Sequence, residues 1–317
     1  MFTIKQPSQI LFGKNSAFSF DFPQKPLLIT SPGAKIRNWI SYLNLDSPLV
    51  FDQVEPNPSI ETAEKIIKNF ENSDFSIIIG LGGGSVLDVT KFVASKLKKF
   101  KILIPTTFGS GSEVTRISVL KVNGNKKSFH NDNFFADIAI IDSYFIENSP
   151  IEIIKNSAID ALAQCSEGYD SKLANVYTKF LCEHAFNFLE DGILNMNKNR
   201  IVLGSLYSGL GFGNCSTTLG HALSYVYSNE GFSHGHALAY TTLIAHKYNN
   251  SKFYERFKKL VNYFSFPKIH VSKKFDECAD LILTDKKHID NNPKLILKND
   301  IIDLMNEIEK TNLEKIS

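Results

Sequence analysis

The stretch LGGGSVLDVTKFV, residues 81–93, sets three consecutive glycines at the end of the apolar run SIIIGL (76–81) and at the start of a helical pattern. A strand that ends in Gly82, Gly83 and Gly84 and turns at once into a helix lets something pass very close to the backbone. Two readings stay open. The N–H groups at such a turn, with the positive end of the helix dipole, collect an anion, and glycine admits phosphate oxygens where a Cβ would block them. A tight turn with close helix–strand packing would demand the same glycines. Ser85 adds a hydroxyl and is placed to cap the helix; Asp88 and Lys91 follow it. The run lacks both the G-x-G-x-x-G spacing of a dinucleotide fingerprint and the G-K-[ST] of a P-loop.

Outward from this stretch, KPLLITS (25–31), SPLVFDQ (47–53), DFSIIIGLG (74–82) and FKILIPTT (100–107) read as strands with little alternation, as when both faces of a sheet are covered. ETAEKIIKNFENS (61–73) and SVLDVTKFVASKLK (85–98) have helical spacing. That alternation predicts βαβ units and a parallel sheet. DIAIID (137–142) reads as a late strand, and the segment from Lys126 is expected to attach to the same sheet, as strand or hairpin. After Ser149-Pro150 the character changes to long helical patterns, from IEIIKNSAIDALAQCSEGY (151–169) to an amphipathic helix over 299–316. The expectation is an α/β domain over 1–150 and an all-α domain over 151–317.

The loop IPTTFGSGSEVT (104–115) strengthens the phosphate reading, because it leaves a second strand with Thr106, Thr107, Ser110 and two glycines. Two such loops describe a crevice at the carboxyl edge of a parallel sheet, where nucleotides lie. In the helical half, Asp160 sits inside an apolar helical pattern, where an unpaired carboxylate is costly. His221 in TTLGHALSY and His234 in FSHGHALAY follow, thirteen residues apart, with His236 a competing candidate. One carboxylate and two imidazoles suit Zn²⁺ or Fe²⁺. His130, His184, His246, His270 and His288 read as structural or surface residues.

Composition narrows the partners. A formal net charge of +2 with 21% charged residues calls for neither nucleic acid nor an anionic membrane, and 43% hydrophobic residues are enough for two ordinary cores. No stretch approaches a membrane span, and the N-terminus lacks signal-peptide character. The four cysteines show no CxxC pair and read as reduced thiols of a cytoplasmic protein.

GGGSVLDVTK, PTTFGSGSEVT, DALAQ and the pair GHALSY and SHGHALA resemble the iron-containing (group III) alcohol dehydrogenases. The resemblance runs from QILFGKNSAF through VEPNPSIETAEKI to at least Tyr240. It implies a dehydroquinate synthase-like fold, with a Rossmann-like parallel sheet in front and an all-α domain behind. It implies NADPH or NADH in the front domain, with Gly82, Gly83, Gly84 and Ser85 around the pyrophosphate and Asp88, Thr106, Thr107 and Ser110 as further contacts. Lys126 falls on a lysine near the nicotinamide and substrate. Asp160, His221 and His234 fall on ligands of a divalent metal that polarises the substrate carbonyl.

Three departures from the family pattern stand out. The usual fourth ligand is Gln164 here, and a neutral amide is a weak ligand. Tyr225 stands where a proton-moving histidine is common, and its phenol can donate a proton or merely pack. Ser31 replaces an aspartate that would repel a 2′-phosphate, which leaves NADPH admissible. DALAQ, KKSF around Lys126, and TTLGHALSY followed by HGHALAYT look most like phosphonoacetaldehyde reductases, which make 2-hydroxyethylphosphonate in phosphonate biosynthesis. Sulfoacetaldehyde or a sugar-derived aldehyde are further substrates to consider. A lyase like dehydroquinate synthase, or a nucleotide-binding protein without catalysis, are the competing readings. By the same resemblance a homodimer is possible.

Overall fold

The computed structural model describes residues 1–147, 149–311 and 313. The chain divides into two compact units, Thr3–Ser149 and, with Met1–Phe2, Pro150 onward.

The α/β unit runs β1 (Gln9–Phe12), β2 (Leu27–Thr30), α1 (Pro32–Ile36), α2 (Trp39–Tyr42), β3 (Leu49–Phe51), α3 (Ile60–Phe70), β4 (Ile77–Gly82), α4 (Gly84–Leu97), β5 (Phe100–Pro105), β6 (Ile117–Val122), β7 (Asn125–His130), β8 (Ile138–Ile141) and α5 (Tyr144–Glu147). Six of the strands form a parallel sheet in the order β1-β8-β5-β4-β2-β3. Every residue of β2 and β4 is buried, which is why these segments read as unbroken apolar runs. On one face Ile29 and Ile78 pack with Ala63 and Ile66 of α3 and with Val89, Phe92 and Val93 of α4. Burying each of the larger side chains contributes about 2 kcal/mol.

Two features depart from expectation. The edge strand β1 pairs in register with β8, Gln9 opposite Ile138, although its four residues carry no periodic signal. Of the segment 126–143, β8 joins the main sheet as expected, but β7 does not. β6 and β7 form a separate antiparallel pair around Asn123 and Gly124, both at positive φ (51° and 78°). Asn-Gly is the strongest short hairpin signal, because both turn positions need left-handed backbone.

The helical unit comprises α6 (Ile151–Asp170), α7 (Val176–Leu194), α8 (Lys198–Phe212), α9 (Leu219–Asn229), α10 (His234–Asn249), α11 (Tyr254–Phe264), α12 (Phe275–Leu283), α13 (Lys286–Asn291) and α14 (Lys298–Lys310). Asn175 caps α7 through a reciprocal bond with Thr178, so the chain turns cleanly out of α6. Of the helix expected over 299–316, Asn312 and residues 314–316 lie outside the described residues.

Candidate metal centre and glycine-rich edge

Because β2, β4 and β5 are neighbours in the sheet, the loops that leave their carboxyl ends lie side by side. Ser31 follows β2 as the N-cap of α1, with no capping bond from its side chain. Gly83 is the N-cap of α4 and Gly84 its first residue. The glycines admit the chain itself. A Cβ on Gly82 would stand 2.5 Å from Val86, one on Gly83 2.9 Å from the Thr107 hydroxyl, and one on Gly84 2.9 Å from the Ser110 hydroxyl. The loop after β5 thus closes onto the start of α4 only because side chains are missing there. Thr106 is buried, and its N–H donates to the Gly82 carbonyl at 3.0 Å.

One expectation needs correction at this edge, and one candidate contact is also engaged inside the unit. Ser85 does not cap α4; its hydroxyl accepts from the Asn57 N–H at 3.2 Å. Asp88, expected to touch a nucleotide, spends both carboxylate oxygens inside the unit. Oδ1 accepts from Ser112 Oγ at 2.6 Å and pairs with Lys91 Nζ at 2.9 Å, while Oδ2 accepts from the Val119 N–H at 3.0 Å. Lys91 is fully buried and also donates to the carbonyls of Ser112 and Ile117. Burial pulls the Lys91 ammonium below its usual range against the attraction of Asp88. Burial also pushes the nearby Glu113 carboxyl up to about 7. This buried charge cluster ties the loop to α4, and the sequence reading missed Glu113 entirely.

In the helical unit the expected residues converge. Asp160 lies half-buried on α6, His221 is buried as the third residue of α9, and His234 is the first residue of α10. One ligand atom from each lies within 4.8 Å of the others. Asp160 Oδ1 is 3.8 Å from His221 Nε2 and 3.7 Å from His234 Nε2. Local sequence explains the convergence. A Cβ on Gly235 would stand 2.0 Å from the Asn156 carbonyl oxygen, so only glycine lets the start of α10 rest on α6 one turn before Asp160. Ser233 Oγ donates to Asn156 Oδ1 at the same junction. The donor set of one carboxylate and two imidazoles fits a divalent transition metal.

His221 is held from outside the trio. Its Nδ1 bonds Glu167 Oε2, whose other oxygen accepts from Thr218 Oγ1 at 2.9 Å and from the Gly220 N–H at 2.5 Å. Burial opposes charging the His221 ring, yet Glu167, with Asp160, pushes it up to about 9. Glu167 was not anticipated, although its spacing of seven residues from Asp160 on one helix was visible. His288, read from sequence as structural or surface, is buried. Its ring centroid lies 6.2 Å from that of His221 and 6.0 Å from that of Tyr225, and its Nδ1 is 2.6 Å from Asp285 Oδ2. Tyr225 is half-buried on α9.

The remaining candidates make contacts of their own. His236, the competing ligand, turns to the Pro267 carbonyl at 2.6 Å and stacks on Phe266. Gln164 lies beside the trio, where its amide N–H donates to Asp160 Oδ1 at 2.8 Å. Lys126 is half-buried on β7 of the α/β unit, opposite Lys121 in the hairpin.

Known proteins place this architecture. The iron-containing alcohol dehydrogenase family matches residues 7–143, and the C-terminal domain of that family matches residues 154–281, well past Tyr240. The 4-hydroxybutyrate dehydrogenase of Clostridium kluyveri is 34% identical over 209 residues, 57% of this chain and 56% of that protein. The sulfoacetaldehyde reductase of Bilophila wadsworthia is 26% identical over 239 residues, 63% of this chain and 60% of that protein. The chain thus spans little more than half the length of these relatives. The iron-containing alcohol dehydrogenase of Thermotoga maritima shares the fold, with a TM-score of 0.84 over 98% of this chain and 100% of that one at 23% identity. Among the described residues no helix is long and apolar enough to cross a membrane. With both halves matched in order, the chain belongs to the iron-containing alcohol dehydrogenase family.

Proposed function

We propose that this chain reduces a small aldehyde to its alcohol with NADPH or NADH, using a divalent ion held by Asp160, His221 and His234. The observation that carries this reading is the convergence of those three side chains from three helices onto one point. A bound Fe²⁺ or Zn²⁺ supplies Lewis-acid polarisation of a carbonyl. The chain's own part is to hold that ion, to seat the dinucleotide along the loops after β2, β4 and β5, and to provide a proton. Reduction adds one hydride to the carbonyl carbon and one proton to the oxygen. Tyr225, four residues after His221 on α9, is the candidate proton donor. Lys126 is the candidate cation near the reacting end of the cofactor. Residues 1–150 act as the dinucleotide-binding domain and 151–317 as the metal- and substrate-binding domain. Gly82, Gly83, Gly84, Thr106, Thr107 and Ser110 line the dinucleotide edge, and Ser31 leaves room for a 2′-phosphate.

For the substrate, phosphonoacetaldehyde is our first choice. Two relatives are named for 4-hydroxybutyrate and sulfoacetaldehyde, both short chains with an anionic end, and the motifs around Gln164 and His234 point the same way. The test is oxidation of NADPH and NADH with phosphonoacetaldehyde, sulfoacetaldehyde and a simple aldehyde, with chelator and with Fe²⁺ or Zn²⁺ restored. Metal-dependent oxidation with the phosphonate supports the whole reading. Oxidation only with the other aldehydes discards the phosphonate. Silence with all three, while the cofactor still binds, identifies a nucleotide-binding protein without catalysis.

A further inference from the structure

We infer that Glu167 is a positioning residue for the metal centre: it accepts the hydrogen bond from His221 Nδ1–H and thereby leaves the Nε2 lone pair facing Asp160 and His234. The inference rests on the metal-binding reading above and extends it to a residue outside the ligand trio.

A metal takes His221 only as the neutral imidazole, releasing its second proton, and the nitrogen that keeps a proton cannot ligate. In His221 the nitrogen facing Asp160 is Nε2, at 3.8 Å, and the nitrogen facing Glu167 is Nδ1. A carboxylate on Nδ1 selects the tautomer that frees Nε2 and fixes the plane of the ring. Glu167 itself has no freedom to turn away. It is 1% exposed, and its second oxygen is occupied by Thr218 Oγ1 and the Gly220 N–H, both on the segment that delivers His221. A Cβ on Gly220 would stand 2.7 Å from Glu167 Oε1 and 2.9 Å from the Thr242 Cα, so glycine lets both lie close. All three partners of the carboxylate are donors in this arrangement. An amide in its place brings one acceptor and one donor to that set, so at least one of the three bonds fails.

Helix α6 supports the pair by its periodicity. Asp160 and Glu167 are seven residues apart, close to two full turns, so both project from one face. The same helix therefore carries one direct ligand and the group that orients a second ligand on α9.

The experiment measures Zn²⁺ affinity of the full chain by chelator competition, alongside thermal midpoints of the metal-free proteins. Four proteins are compared: wild type, Glu167→Gln, Asp160→Ala and Ser208→Ala. Ser208 donates to the Ala161 carbonyl of α6 at 2.8 Å and touches none of the trio, so it reports loosening of the helix alone. Glu167→Gln is expected to weaken Zn²⁺ binding by about 10–100-fold, the usual effect of removing an outer partner of a ligating histidine. Ser208→Ala is expected to stay within about 3-fold, the ordinary scatter of such context-dependent effects. If wild type holds no Zn²⁺, or Asp160→Ala holds it equally well, the metal-centre reading itself fails. If those two behave as expected while Glu167→Gln binds like wild type, or Ser208→Ala loses as much, the positioning role is overturned. Should Glu167→Gln not fold, ¹⁵N NMR of the Zn²⁺-loaded wild type decides. A proton on His221 Nδ1 is the expected result, and a proton on Nε2 overturns the inference.

Discussion

Glycine does opposite work in the two units. At the edge of the α/β unit, Gly82, Gly83 and Gly84 make room for Val86, Thr107 and Ser110, so the loop after β5 folds down onto the helix start. In the helical unit, Gly235 and Gly220 make room for the Asn156 backbone and for Glu167, so that two histidines are carried toward Asp160. The first set closes a loop over the chain's own turn, and the second assembles a group of ligands. A glycine-rich motif next to a helix start is therefore no measure of how much of it faces a ligand; the neighbouring side chains decide.

The sharpest way to break this contrast is to remove a ligand. His234→Ala should lower turnover by about 10³-fold, since losing a Lewis acid removes several kcal/mol of transition-state stabilisation. NADPH affinity, measured by fluorescence titration, should stay within a factor of three. Equal loss of both would make His234 a structural residue and erase the difference between the units.

Glycine replacements test the two close approaches directly. Gly235→Ala sets a Cβ against backbone that cannot yield, and should cost about 3 kcal/mol in denaturant unfolding, the upper end of overpacking. Gly84→Ala meets a serine side chain and should cost about 1 kcal/mol. A reversed order would mean that the α4 turn is the more rigid of the two junctions.

The buried charges of the α/β unit give a pH signature of their own. The Glu113 carboxyl has a folded pKa of about 7, above its ordinary 4.5, because burial disfavours the charged form. Its contribution to stability is full below pH 4.5 and is lost as pH rises to 7, by up to ~3 kcal/mol. Glu113→Gln should flatten that part of the stability profile, read by urea unfolding between pH 5 and 8 (about the range of maximal stability). A profile that keeps the wild-type slope would assign the loss to another group. Asp88→Asn should cost about 1–2 kcal/mol of stability through the Lys91 and Val119 partners. It should change NADPH affinity by less than a factor of three; a larger loss would restore Asp88 as a nucleotide contact.

What the sequence revealed follows from the range of the interactions involved. β2, β4, β5, β8, α3 and α4 are legible because burial on both sheet faces, or on one helix face, writes itself into consecutive residues. β1 is not, since four residues gain their meaning from β8 at the far end of the unit. The trio of Asp160, His221 and His234 was legible through the motifs that surround each residue. Glu167 was not, because its role exists only once a residue 54 positions on arrives beside it. The partners of Asp88 were hidden for the same reason: Ser112 and Val119 lie 24 and 31 residues away.

The seven-residue interval on α6 makes the metal centre sensitive to chain length as well as to side-chain identity. One residue inserted between Asp160 and Glu167 would rotate them by about 100° relative to each other. No substitution on α9 could then return the carboxylate to His221. In this helix, insertions and deletions are the mutations the site cannot absorb, even where every ligand is preserved.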